Sequence, residues 1–332
     1  MSKTLYIGLG GLGGRVVLNA KQKEESLLSP DRQDLFFIVD RDPYDCEDLY
    51  QGALPFLPLH SEKRIKDYPT DCGGSDVLNW LPTSPQILHT LAFQAPQRAA
   101  GRLTFLDAVQ NGRLRPLEEM LDKALSDPLA TELKIVIVTG LAGATGSGIF
   151  IQAALWLRKL LRQKTDLPCK IFGILVGPEG CIAGYLAQNP REQMRLRTNT
   201  HAALKELELI NGIATGTNPH SELALDGILK YAAKLETAVF DQAFVYDLAL
   251  DHKNAPNFAD FIEQIAGAVL SRFLNLPLPQ GSVSSYSDPF QCPAMTCDAY
   301  KEAYRNSCNI ALQTNNEGYV PHIDKRWITL WN

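Results

Sequence analysis

Gly140-Leu141-Ala142-Gly143-Ala144-Thr145-Gly146-Ser147-Gly148 is the stretch on which the fold of this chain turns. Before it, Lys134 to Thr139 reads as a short apolar strand. After it, Ser147 to Gln163 reads as a long, mostly apolar helix. Strand, glycine-rich turn and helix in that order set backbone amides at a helix N-terminus, where no Cβ obstructs an approaching phosphate. Thr145 and Ser147 add hydroxyl donors that together take the place of a Walker lysine, since no G-x-x-x-x-G-K-[ST] occurs in the chain.

The same grammar stands at the start of the sequence. Leu5-Tyr6-Ile7 runs into Gly8-Leu9-Gly10-Gly11-Leu12-Gly13-Gly14, and a helix-like stretch follows from Arg15 to Lys21. Gly8-x-Gly10-x-x-Gly13 is a dinucleotide-type fingerprint. Asp40, closing the apolar run Leu35 to Val39, sits where a ribose-binding acid belongs. Read alone, this is a phosphate loop or a plain tight turn between strand and helix. An ordinary nicotinamide enzyme has no use for a second cradle. A triphosphate lying across the sheet edge, with one loop on each side, uses both.

Further strands are expected at Lys170 to Val176 and Phe240 to Tyr246, and further helices at Arg191 to Leu209 and Phe258 to Phe273. Apolar runs alternating with helices imply an α/β fold with a doubly wound, mainly parallel sheet, whose ligands bind beyond the carboxyl ends of the strands. The Pro-, Gly- and Ser-rich stretch Asn275 to Gln291 marks a boundary. It divides the chain into a nucleotide-binding domain over 1–274 and a short C-terminal region over 275–332, a reduced second domain or an assembly tail.

Composition narrows the function classes. The chain has 332 residues, a net charge of -5 and 45% hydrophobic residues, which excludes disorder as the main state. An acidic chain of pI 5.7 is not a nucleic-acid binder that relies on bulk positive charge. No membrane span is expected, because no window approaches the roughly 18 uninterrupted apolar residues of one. Met1-Ser2-Lys3-Thr4 runs straight into a strand, so no secretory signal is expected either. Seven scattered cysteines without a Cys-x-x-Cys pair read as free thiols in a reducing cytoplasm. The six histidines show no metal-ligand spacing, and no G-x-S-x-G elbow is present.

Gly140 to Gly148 resembles the signature loop of the tubulin/FtsZ superfamily, GGGTG[ST]G, with Ala142 and Ala144 in place of glycines. Gly8 to Gly14 is similar to that family's first nucleotide loop. Phe37 to Asp42 is similar to the strand and loop bearing its next acid, with Asp42 at the matching place. Gln97 to Arg102 resembles the loop near the terminal phosphate, and Arg191 to Leu209 the helix after the ribose loop. The likeness runs over about residues 3 to 274 in order, and its flavour is that of the divergent bacterial tubulin-like group.

The resemblance implies a cytoplasmic protein that binds GTP or GDP with Mg2+ and assembles with itself into oligomers or filaments, with unidentified adaptor proteins. Phosphates would meet the amides of Gly10, Gly11, Gly13 and Gly14 and those of Gly143, Ala144, Thr145, Gly146 and Ser147. Asp42 would place Mg2+ through water, or is a surface turn acid. Glu179 and Arg195 or Arg197 would flank the ribose, an arginine on a charged helix otherwise being solvated. Asn257 and Asp260 would read the guanine edge beside Phe258, although an N-cap role explains Asn257 as well.

The chain also departs from the family. Arg15 occupies a position that usually holds asparagine. After Phe273 comes Asn275-Leu276-Pro277-Leu278-Pro279-Gln280-Gly281, with no acid before Asp288, where the family carries the acids that complete hydrolysis on the neighbouring subunit's nucleotide. Asn257-Phe258-Ala259-Asp260-Phe261 resembles that loop in letters, but it follows the strand ending at Tyr246 too closely and reads as a helix start. No catalytic residue is assigned, and hydrolysis is expected to be weak or to depend on assembly. Two other classes compete. ThiF- or ubiquitin-activating-type adenylyltransferases share a GxGGLG loop and an acid-rich turn like Asp40-Arg41-Asp42, but Arg64 and Lys66 lack the expected spacing. A NAD-binding Rossmann oxidoreductase shares the first loop only. Neither employs the second glycine loop.

Overall fold

Six parallel strands form one sheet in the order β3-β2-β1-β4-β5-β6: β1 (Ser2–Leu9), β2 (Leu35–Asp40), β3 (Phe56–Pro58), β4 (Glu132–Gly140), β5 (Cys169–Val176) and β6 (Gln242–Tyr246). The computed structural model describes residues 2–28, 34–42, 52–59, 63–67, 98–182, 189–214, 238–247 and 257–273. The helices are α1 (Gly10–Leu27), α2 (Arg98–Gln110), α3 (Arg115–Leu125), α4 (Thr145–Lys164), α5 (Pro190–Ala214) and α6 (Phe258–Phe273), with a single helical turn at Glu179–Cys181. The doubly wound parallel sheet expected from the alternation of apolar runs and helices is the fold the chain adopts.

The four inner strands β1, β2, β4 and β5 bury both faces over most of their length, which is why their runs are apolar throughout rather than alternating. On β1, Leu5, Ile7 and Leu9 join one core with Ile135 and Ile137 of β4, Phe150 and Leu157 of α4, and Leu117 and Leu121 of α3. Tyr6 points the other way. It belongs to a second core with Val136 and Val138, Val16 and Val17 of α1, and Phe261, Ile265 and Val269 of α6. At roughly 1.5–3 kcal/mol per large apolar side chain taken from water, two such layers hold the sheet between helices.

The strand order reverses direction between β1 and β4. Leu5 faces Ile135 and Leu9 faces Thr139 in the register of that pair. The chain leaves β1 toward one side of the sheet and β4 toward the other, which opens a crevice at their carboxyl ends. Both glycine segments lie there.

Three expected segments around the crevice take another form, and β3 and α3 lie outside the expected elements. Gln97 to Arg102, expected as a loop, is from Arg98 onward the first turn of α2. The helix after the first strand starts at Gly10 rather than at Arg15, and the helix after the second glycine segment starts at Thr145 rather than at Ser147. In both cases the glycines are absorbed into the helix, because tight packing of its first turn on the sheet rewards the missing Cβ. The C-terminal region over 275–332 lies outside the described residues. Among the described residues no helix is long and apolar enough to cross a membrane.

Candidate functional site

At the head of the sheet the first turn of α1 touches the first turn of α4. Gly10 has φ +71°, a left-handed conformation open to glycine, and a Cβ built on it would lie 2.8 Å from the Gly146 amide nitrogen. A Cβ on Gly146 would in turn run into the Leu9 carbonyl and the Thr139 hydroxyl. The two glycines are therefore what allows the two helix starts to meet. Gly13 and Gly14 lie a little further along α1 and are buried, and a Cβ on Gly13 would run into the Val138 carbonyl of β4. Gly8 meets the same constraint from below, its Cβ direction ending 2.6 Å from the Gly13 carbonyl oxygen. Gly143 is different, since a Cβ there would meet nothing within 4 Å.

Helix N-termini carry outward-directed N–H groups and a partial positive charge, and a side-chain cap or an early acid ordinarily answers both. Among the described residues neither α1, capped by Leu9, nor α4, capped by Ala144, has a side-chain cap hydrogen bond or an acid in its first turn. Two such ends converging at one crevice make a place suited to an anion.

The flanks are built from α5 and the turn after β5. Glu179 is fully buried, and its carboxylate accepts from Arg197 Nε at 2.7 Å and Nη2 at 2.8 Å. Asp247, just past β6, holds that turn by accepting from the backbone N–H groups of Glu179 (2.9 Å) and Gly180 (3.3 Å). Asn199 Nδ2 donates to the Ala142 carbonyl at 2.9 Å, which ties α5 to the second glycine segment. Cys181, beside this turn, has its thiol pushed up to about 12 by burial and then by the Asp247 charge, so it stays protonated at neutral pH. Arg195 pairs with Glu192 on its own helix.

Ser147 is fully buried and faces α2. Arg98 Nε donates to its hydroxyl oxygen at 2.7 Å, and Arg98 Nη2 donates to its carbonyl at 2.9 Å. The hydroxyl is thus an acceptor for a guanidinium that the sequence placed in a loop. Thr145 stands in the first turn of α4, against Gly10 and Gly101. Asp42 is exposed past the end of β2, its N–H directed to Asp40 Oδ1 at 3.3 Å. Arg15 lies in the second turn of α1, partly buried. Asn257 and Asp260 are exposed at the start of α6 and bond to each other. Asn257 Oδ1 accepts from the Asp260 N–H at 2.9 Å, and Asn257 Nδ2 donates to Asp260 Oδ2 at 2.8 Å, which is an N-cap arrangement.

The structure thus brings together the two glycine segments, Glu179 and Arg197, and sets Asp42 at the same edge of the sheet. Sequence reasoning missed the position of Arg98, along with Glu206 and Asn199. Their partners are far away in sequence, so no spacing pattern announces them.

Residues 5–274 match the model of a protein family described as tubulin like. No curated protein matches the chain. Similar solved structures include CetZ2 from Haloferax volcanii in a GTPγS-bound protofilament, at 16% identity and a TM-score of 0.42 over 80% of this chain. CetZ1 from Haloferax volcanii, a GDP-bound monomer, is 12% identical with a TM-score of 0.45 over 85% of this chain. A GTPγS-form protofilament of TubZ from Bacillus thuringiensis serovar israelensis is 13% identical with a TM-score of 0.44 over 81% of this chain. The chain spans 57%, 63% and 54% of those three chains.

Proposed function

This chain belongs to the tubulin-like family, and from that premise we propose that it binds guanine nucleotide, GTP or GDP, where the starts of α1 and α4 meet. The observation that carries the proposal is the contact of Gly10 with Gly146, which sets two N-termini without side-chain caps against each other at the switch point of the sheet. Gly10 and Gly11 on one side, and Gly143 to Ser147 on the other, supply amides to the phosphates. Gly13 and Gly14 let α1 press onto β4 so that this approach is possible. Glu179 and Arg197 form the ribose side as a pair. An exposed carboxylate at the same edge suits Asp42 for holding Mg2+ through water, since that ion takes oxygen ligands and keeps several waters. Arg15, Asn257 and Asp260 lie toward the base in this reading, with the Asn257–Asp260 pair already serving as a helix cap.

Assembly of copies into oligomers or filaments belongs to the same proposal and rests on family membership. Turnover is proposed to be slow, because the stretch after Phe273 carries no acid before Asp288. The test is to denature the purified protein and identify the released nucleotide by chromatography, beside the Gly146→Val variant. GDP or GTP from the parent and none from the variant is the expected result. An adenine nucleotide or NAD would contradict it and favour an adenylyltransferase or an oxidoreductase.

A further inference from the structure

The start of α4 is gripped from the side facing away from β1. A Cβ on Gly101 of α2 would lie 2.5 Å from the Ala144 carbonyl oxygen, and one on Gly148 of α4 would run into the Arg98 carbonyl. The two helices therefore touch backbone to backbone beside the second glycine segment. Through that contact runs a chain of charged groups. Arg98 spends Nε and Nη2 on Ser147, and its Nη2 also reaches Glu206 Oε2 of α5 at 2.5 Å. The other Glu206 oxygen accepts from Arg102 Nη1 at 2.9 Å. Gln152 of α4 closes the group once its amide is oriented to suit its neighbours, the oxygen then accepting from Arg102 Nε at 2.7 Å and the nitrogen donating to the Gly148 carbonyl at 3.1 Å. Arg102 and Glu206 are 5% and 8% exposed, so these pairs work in a medium where an unmatched charge is costly.

We propose that Arg98 is the positioning residue of the second glycine segment, and that through Glu206 it couples phosphate binding at the start of α4 to the seating of α5. The planar fork of the guanidinium is what makes this possible. It serves Ser147 and Glu206 at once, which a lysine, a point charge, does not reproduce. The same helix α5 carries Arg197 on Glu179 and Asn199 on the Ala142 carbonyl, so it is fastened to the site at three places along its length. A ligand that orders Ala144 to Ser147 orders the Arg98 contact and with it α5. The inference rests on the nucleotide reading of this site.

The test is GTPγS affinity measured on the parent chain, Arg98→Lys, Glu206→Gln and the double variant, each checked for folding by its urea midpoint. Arg98→Lys and Glu206→Gln are each expected to weaken binding roughly tenfold, a usual size for coupling between two places in one protein. The double variant should bind no more weakly than the weaker single one, because both changes break one connection. Glu208→Gln, on the same helix but paired with Lys205, should bind as the parent does. Parent-like binding by Arg98→Lys, or losses that multiply in the double variant, would overturn the coupling while leaving the nucleotide reading intact. A parent chain that binds no GTPγS removes the nucleotide reading, and this inference with it.

Discussion

Gly13→Ala would force a methyl group into the Val138 carbonyl, and overpacking of that kind costs about 1–3 kcal/mol. Gly143→Ala meets open space and should leave stability within about 0.5 kcal/mol. Urea unfolding of the two variants checks the contrast, and equal losses would remove the packing role of Gly13. A second residue acts through charge. Glu24 of α1 is fully buried and accepts from the Asp34 N–H at 3.1 Å, and burial, followed by the Asp34 charge, pushes its carboxyl from 4.5 to about 8. The folded chain therefore holds a proton that the unfolded chain has released. Stability should fall as pH rises from about 4.5 to about 8, with Asp34, also raised by burial, adding in the same direction. Glu24→Gln should flatten that slope and raise the urea midpoint above about pH 7. A slope unchanged by the substitution would show that the proton sits elsewhere.

Elements were legible where their apolar pattern matched one environment. Phe258 to Phe273 carries Phe261, Ile262, Ile265, Val269 and Leu270 on one stripe, and it forms α6 with those bounds. The central strands read as continuous apolar runs because both faces are covered. α3 carried a usable signal, Leu117, Leu121 and Ala124 on one face with a proline at its start, yet it was not among the expected helices. Leu121→Ala should cost about 2–5 kcal/mol in urea unfolding, as removal of a fully buried leucine does. α2 carried no such signal. It is buried almost all round, and its Arg98, Arg102 and Asp107 look like solvated charges until Glu206, Lys63 and Arg113 are seen beside them. The start of α6 was ambiguous between a base-reading pair and a cap, and the geometry supplies the cap. Asn257→Ala should lower stability by about 1 kcal/mol, and a thermal or urea midpoint equal to the parent's would deny the cap any weight.

For the whole molecule, the strand order determines where the candidate site lies. With β1 and β4 as neighbours and their connections departing to opposite faces, the starts of α1 and α4 share one crevice. The sequence showed both glycine segments but not that they touch, because contact between Gly10 and Gly146 depends on a register set across more than a hundred residues. In the proposed site one nucleotide engages both segments together. Amide hydrogen exchange with and without saturating GTPγS tests it most directly. Peptides covering Gly10–Gly14 and Gly143–Ser147 are expected to gain protection in the same titration, at the same midpoint. Protection of only one segment, protection confined to other parts of the sheet, or none at all would contradict it.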